Sequence, residues 1–237
     1  MRLDHAVTAQ GLTISRSQAE SYIRLGKVEV SGKVVTKPGF NVTDLSQITL
    51  TAKEQYVSRA GLKLASIAET FKLDFKNKVV LDVGSSTGGF TDYALRHGAK
   101  KVIAVEVGTN QLHPSLHGNP RIELHEQTDI RDFKTQEQID IVVIDVSFIS
   151  LREVLPSVSR LLSSNSQIVA MVKPQFEALH SNVKHKGVVK NDRMRRDILK
   201  DFEVWASGRF VVRTKADSAV AGEKGNLERF YLLQKLK

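Results

Sequence analysis

Val79-Val80-Leu81-Asp82-Val83-Gly84-Ser85-Ser86-Thr87-Gly88-Gly89-Phe90-Thr91-Asp92 is an apolar run that stops at a glycine-rich turn. The run reads as a strand buried on both faces. The turn reads as a nucleotide-binding loop. Gly84, Gly88 and Gly89 let backbone N–H groups approach a ligand where a Cβ would obstruct, and a helix starting near Gly89 presents its partly positive end to the same place. Spacing chooses the ligand. A dinucleotide loop needs G-x-G-x-x-G, and a phosphate-gripping loop needs G-x-x-x-x-G-K followed by Ser or Thr. Here the glycines run G-x-x-x-G-G.

A second apolar run, Val102-Ile103-Ala104-Val105, ends at Glu106, about twenty residues beyond Gly84. A carboxylate there can accept hydrogen bonds from both hydroxyls of a ribose. Asp129 follows the strand-like stretch 122–125 and is placed to meet an adenine amino group. The combination suits adenosine without a pyrophosphate, and S-adenosylmethionine fits best. The candidate cofactor residues are Asp82, Gly84, Ser85, Ser86, Thr87, Gly88, Gly89, Phe90, Glu106 and Asp129. The competing reading, in which Asp82 and Glu106 merely cap strands of an unrelated α/β protein, explains each alone better than it explains them together.

Length and charge bound the rest. A chain of 237 residues can bury a full α/β core and carry a small extra module. Lys and Arg outnumber Asp and Glu by 35 to 26, a net charge of +9, so an acidic polymer is a natural partner. With no cysteine there are no disulfides, thiolate metal sites or thiol nucleophiles. No apolar run approaches the length of a membrane span, and the start does not read as a secretory signal. A cytoplasmic location is expected.

The first fifty residues have their own architecture. Ser15 and Gln18 form a capping box for a helix over 16–25 that stops at Gly26, after a weaker helix over 3–10 that ends at Gly11. Residues 28–30 and 33–35 read as a hairpin around Ser31-Gly32, with 48–50 a further strand. This is a compact unit of two helices and a small sheet over 1–51, its polar surface including Arg2, Arg16, Arg24, Lys27 and Lys33. A polar linker is expected over 52–57 and the main domain over 58–237. There Ser58 caps a helix with the apolar stripe Leu64, Ala65, Ala68 and Phe71. Strands follow near 79–83, 101–105, 122–125, 140–145, 167–172, 210–214 and 227–233, with helices near 89–97, 151–162 and 192–206. That alternation is the pattern of a Rossmann-like, doubly wound parallel sheet.

A long connection over 174–191 leads into a basic run: Lys184, Lys186, Lys190, Arg193, Arg195, Arg196 and Lys200 against Asp192 and Asp197. Such a patch attracts phosphates by releasing counterions, although a charge run is as often a solvated helix face. Lys184, Lys186, Arg193 and Arg196 are the RNA-binding candidates here.

Lys173 follows the buried run 167–172 and precedes Pro174, so its amine emerges at the carboxyl edge of the sheet, where doubly wound folds bind ligands. Asp145 ends the run 141–144 in the same way. Lys63, on the helix ahead of the first large strand, and Glu228, entering the last strand, complete a set of two lysines and two carboxylates. An amine that is partly desolvated and crowded by a second ammonium gives up its proton more readily, and can then take one from a ribose hydroxyl. The thioether leaving a sulfonium is neutral, so the chemistry requires no metal. Where amino-methylating enzymes carry D/N-P-P-Y/F, this chain has Asp145-Val146-Ser147-Phe148, and carbon methylation through a cysteine nucleophile is impossible.

These residues resemble a known family. The matching segments are Arg2-Leu3-Asp4, Ser15-Arg16, Gly26-Lys27-Val28, the stretch 57–64, the loop 82–92, Asp145-Val146-Ser147-Phe148-Ile149-Ser150-Leu151, Val172-Lys173-Pro174-Gln175-Phe176-Glu177 and Gly225-Asn226-Leu227-Glu228. They are similar to the haemolysin-A-type family of ribosomal RNA 2′-O-methyltransferases, whose catalytic domain is of the FtsJ type. The resemblance implies an αL-type RNA-binding domain joined to an S-adenosylmethionine-dependent enzyme, with Lys63, Asp145, Lys173 and Glu228 as the family's K-D-K-E tetrad. The chain departs from the pattern in having Ala60 for a glycine, Glu106 where Asp is frequent, and no Ser-Pro before Glu228. The expected substrate is ribosomal RNA or a ribosomal subunit. A non-catalytic assembly factor is the alternative, and the membrane lysis in the family's historical name ranks below both.

Overall fold

The computed structural model describes residues 1–52, 55–181, 187–222 and 225–236. The first unit has α1 (Leu3–Ala9), α2 (Arg16–Arg24), β1 (Val28–Val30), β2 (Lys33–Val34) and β3 (Ile48–Leu50), the strands in the order β2-β1-β3 and all antiparallel. Ser15 caps α2 by accepting from Gln18 N, while the Gln18 side chain accepts from Ile14 N, close to the expected capping box.

The second unit begins with α3 (Arg59–Ala68), then β4 (Val79–Val83), α4 (Gly89–Arg96), β5 (Lys101–Val105), β6 (Ile122–His125), β7 (Ile139–Ile144), α5 (Leu151–Arg160), β8 (Leu162–Val172), α6 (Pro174–Glu177), α7 (Asp192–Ser207), β9 (Phe210–Asp217) and β10 (Arg229–Lys235). The seven strands lie in the order β6-β5-β4-β7-β8-β10-β9. β4, β5, β6, β7 and β8 run parallel, and β10 is antiparallel to both of its neighbours.

Alternation along the strands builds two apolar layers. Val80, Val102, Val143, Met171 and Phe230 face α3 and α4, whereas Leu81, Ile103, Ile144, Ala170 and Tyr231 face α5 and α7. The first layer is continuous with Leu3, Val7, Tyr22 and Ile23 of the small unit, which has too few residues for a large core of its own. The stretch joining the units is less polar than the sequence suggests. Tyr56 and Val57 are buried, the Tyr56 ring lies 5.3 Å from Tyr93, and Gln18 Nε2 donates to Tyr56 O at 2.7 Å.

Three local expectations are corrected. β8 begins at Leu162, before 167, because the polar run Ser163-Ser164-Asn165-Ser166 is absorbed by a register shift against β7. The connection over 174–191 opens with α6, started by Pro174 at its first position. Ser58 stands at the start of α3, but its hydroxyl makes no capping bond and is buried.

Candidate active site

The sheet order reverses between β4 and β7: the chain steps from β4 to β5 on one side and later returns to lay β7 on the other. Beyond the carboxyl ends of such a strand pair lies the binding crevice of a doubly wound fold. Gly84 follows β4, Asp145 follows β7, Glu106 follows β5 and Lys173 follows β8, so all four stand on one edge. β10 runs the opposite way, with Arg229 paired to Val172, which brings Glu228 to the same edge beside Lys173. Lys63 arrives from above. α3 crosses the start of α4 so closely that a Cβ on Gly89 would lie 2.7 Å from Ala60 Cβ, and one on Gly61 would lie 3.1 Å from Gly89 O.

Two cavities open at this edge. One, of about 460 Å³, is lined by Gly84, Ser86, Glu106, Asp129 and Asp145, with Val105, Ile130, Val146 and Ile149 as apolar walls. Glu106, 7% exposed, accepts from Ser86 N at 2.9 Å and Gly108 N at 2.8 Å. Oε1 also accepts a long bond from Gln111 Nε2 at 3.5 Å, while Oε2 keeps a second lone pair for a hydroxyl. Asp129 is held by the Arg131 guanidinium, whose hydrogen bonds keep its carboxyl below the usual range. Glu106 and Asp129 are carboxylates in this largely apolar slot that can accept hydrogen bonds from an adenosine.

The other loop residues are placed differently. Asp82 is 1% exposed and accepts from Thr91 Oγ1 at 2.6 Å. Burial pushes its carboxyl up to about 7, reinforced by the charges of Asp145 and Glu106 against the pull of Thr91. Ser85 and Phe90 are buried, Phe90 against Phe230, and Thr87 is exposed. None of these four lines either cavity. Gly88 and Gly89 do not line them either. A Cβ on Gly88 would meet Leu112 and Leu116, and one on Gly89 would meet α3, so their bareness serves packing.

The second cavity, of about 560 Å³, brings together Lys63, Asp145, Lys173 and Glu228. Lys63 Nζ lies 2.5 Å from Glu228 Oε2, and Lys173 Nζ lies 2.6 Å from Asp145 Oδ1 while donating to Ser147 Oγ at 2.7 Å. The expected crowding of one ammonium by another gives way to two ion pairs. Burial raises the Glu228 carboxyl, against the pull of Lys63. Ser86, Asp145, Ser147 and Phe148 line both cavities, so the two share a wall at Asp145.

Among the RNA-binding candidates, Arg2 and Arg16 converge on buried Asp4, at 2.9 Å each, with about half of each side chain exposed. Arg24 and Arg59 line a third cavity between the two units. Lys27, Lys33, Arg193 and Arg196 are exposed, and Lys184 and Lys186 lie outside the described residues. Arg195 does not belong to the basic face: it is 8% exposed and bonds Asp217 and Leu227 O.

Sequence reasoning missed Ser147, which orients Lys173, and Phe148, which is 92% exposed with φ +68° and rests on Phe176 at 5.3 Å. It also missed Arg59 and Asn226 in the walls. Arg59 and Asn226 flank Lys63 and Glu228 in sequence, a proximity that could have marked them.

A doubly wound sheet whose carboxylate-bearing slot shares a wall with a lysine–carboxylate cluster suits an S-adenosylmethionine-dependent methyltransferase. Comparison with known proteins gives the family: residues 56–235 match the FtsJ-like methyltransferase family and residues 1–47 the S4 domain. The chain belongs to the hemolysin/TlyA-type branch of FtsJ-like methyltransferases that carry an S4 domain. It is 38% identical to Hemolysin A of Brachyspira hyodysenteriae, over 96% of this chain and 97% of that one. It is equally identical to the 23S rRNA (cytidine-2′-O)-methyltransferase TlyA of Campylobacter jejuni, over 98% of each. A solved hemolysin structure from Streptococcus thermophilus superposes with a TM-score of 0.73 at 35% identity, covering all of this chain and 89% of that one. Among the described residues no helix is long and apolar enough to cross a membrane.

Proposed function

We propose that this enzyme methylates a ribose 2′-hydroxyl of ribosomal RNA, presented by a ribosomal subunit in the cytoplasm. The observation that carries the reading is the shared wall: the slot suited to the cofactor and the cavity holding Lys63, Asp145, Lys173 and Glu228 meet at Asp145. The named activity of the Campylobacter jejuni relative supports the same substrate. S-adenosylmethionine, when bound, supplies an electrophilic methyl group on a sulfonium.

The chain's own residues supply the rest. After its ammonium has given up one proton to solvent, Lys173 takes the proton of the attacking hydroxyl, and Asp145, 2.6 Å away, stabilises the ammonium that re-forms. Ser147 fixes the direction of the amine. Lys63, fixed by Glu228, faces the same space as a second cation for the oxyanion that develops. Holding both reactants in adjoining cavities supplies much of the rate. Arg2, Arg16 and the exposed basic residues of α7 carry the phosphate backbone, where charge rather than base identity sets affinity.

The test is to incubate the protein with ribosomal subunits and S-adenosylmethionine carrying a labelled methyl group, then digest the RNA to nucleosides. Label on a ribose 2′-oxygen supports the proposal. Label on a base, or cofactor binding with no transfer to either subunit, overturns it.

A further inference from the structure

Glu177 is 1% exposed and lines neither cavity, yet it is fully engaged. Its Oε2 accepts from Ser150 Oγ at 2.7 Å, its Oε1 accepts from Leu151 N at 2.7 Å, and Arg152 Nε lies 3.5 Å from Oε2. These donors belong to the start of α5, where Ser150 also caps the helix by accepting from Arg152 N. A carboxylate at a helix start meets both free N–H groups and the partly positive helix end.

The location gives these contacts their meaning. Glu177 ends α6, the short helix that begins immediately after Lys173, and Glu177 N donates back to Lys173 O at 3.3 Å. Ser150 and Leu151 close the loop that begins with Asp145 and carries Ser147. One loop therefore holds the amine, the other holds its carboxylate and hydroxyl partners, and β7 and β8 end side by side without a covalent link between the two tips. We infer that Glu177 is a positioning residue, a buried tie between the Asp145 loop and the Lys173 turn that keeps the amine aimed at Asp145 and Ser147. The inference rests on the proposal that Lys173 and Asp145 carry the transfer, and its first test is independent of activity.

That test is lysine acetylation of the full chain at low conversion, read peptide by peptide by mass spectrometry, with Lys63 as internal reference because α3 is not held by the tie. Glu177→Ala is expected to raise the Lys173 labelling rate several-fold relative to Lys63. Glu177→Gln keeps the shape and one acceptor but turns the other into a donor, so its ratio should fall between Ala and wild type. An unchanged ratio in a folded Glu177→Ala protein, judged by circular dichroism, overturns the inference. If Ala prevents folding, Gln and Ser150→Ala carry the same readout, and wild-type ratios in both overturn it. In turnover, a displacement near 1 Å costs about 100-fold, so kcat should fall to that extent in Glu177→Ala while cofactor affinity holds and Gln restores part of the loss. Loss of cofactor affinity in step with kcat would mark a general structural role and also count against the tie. A wild-type enzyme that transfers no methyl group would defeat the parent reading while leaving the labelling result decisive for Glu177.

Discussion

A methyl group placed on Gly84 would sit 2.9 Å from the carbonyl oxygen of Asp145, so the loop after β4 passes the loop after β7 too closely for a side chain. Gly84 also has φ +78°, where a side chain costs about 1–3 kcal/mol. Gly84→Ala should therefore destabilise the protein by about that amount and shift Asp145. Urea unfolding and turnover measured together check this, and the loss of turnover should exceed what the unfolded fraction explains.

Glu106 presents a carboxylate whose oxygens each already hold a backbone N–H. Replacing it by Gln puts an amide N–H₂ against one of those N–H groups and removes a charged acceptor. Hydrogen bonds to charged groups are worth about 1.5–3 kcal/mol, so calorimetry should find S-adenosylmethionine binding to Glu106→Gln weakened roughly 10- to 100-fold, with kcat at saturation much less affected.

Asp82 ties its protonation to stability. Its folded carboxyl titrates near 7, against an ordinary value of 3.8. Between those values the native state holds more protons than the unfolded chain, so this group lowers stability progressively as pH rises from about 4 to about 7. Asp82→Asn can still accept from Thr91 and removes that decline. The stability difference, variant minus wild type, should grow in the variant's favour between pH 5 and pH 8 by on the order of a few kcal/mol. Denaturant unfolding at the two pH values reads it, and a pH-independent difference would contradict the assignment.

Arg2 and Arg16 share Asp4, whose carboxyl burial pushes up but whose hydrogen bonds from both arginines hold it well below the usual range. The stability this contributes is present above pH ~4 and is lost as pH falls below it. Asp4 thus fixes two half-exposed cations in one place. If they meet phosphates, Arg16→Ala should weaken binding to ribosomal RNA and reduce the slope of log K against log salt by about 1, as filter binding at several salt concentrations would show.

Much of the fold was legible because the central parallel strands β4, β5 and β7 are buried on both faces and read as continuous apolar runs that end at the active edge. Lys173 and Asp145 were visible for the same reason: each is the first charge after such a run. The pairing of Lys63 with Glu228 is a different matter, since it depends on β10 running antiparallel beside β8, an arrangement no local pattern encodes. The packing role of Gly88 and Gly89 left no local trace, because the groups they make room for, Leu112 and Leu116 among them, come from another part of the chain. Arg195 carried a readable signal that charge counting overlooked. It shares the apolar helix face of Ile198, Leu199 and Phe202, where an arginine survives only with a partner, here Asp217. Glu177 ended a matching segment, but no local pattern gave it a role, because its donors lie on another loop.

Proton removal from a ribose hydroxyl by the Lys173 amine is the step on which the proposed transfer turns. Its decisive test is single-turnover transfer to ribosomal subunits by Lys173→Ala, with cofactor binding verified by calorimetry on the same protein. The rate should be lower by roughly 10²- to 10⁴-fold, the range for removal of a general base, with cofactor affinity nearly intact. Transfer at the wild-type rate by this variant, with label still on the ribose, would contradict it.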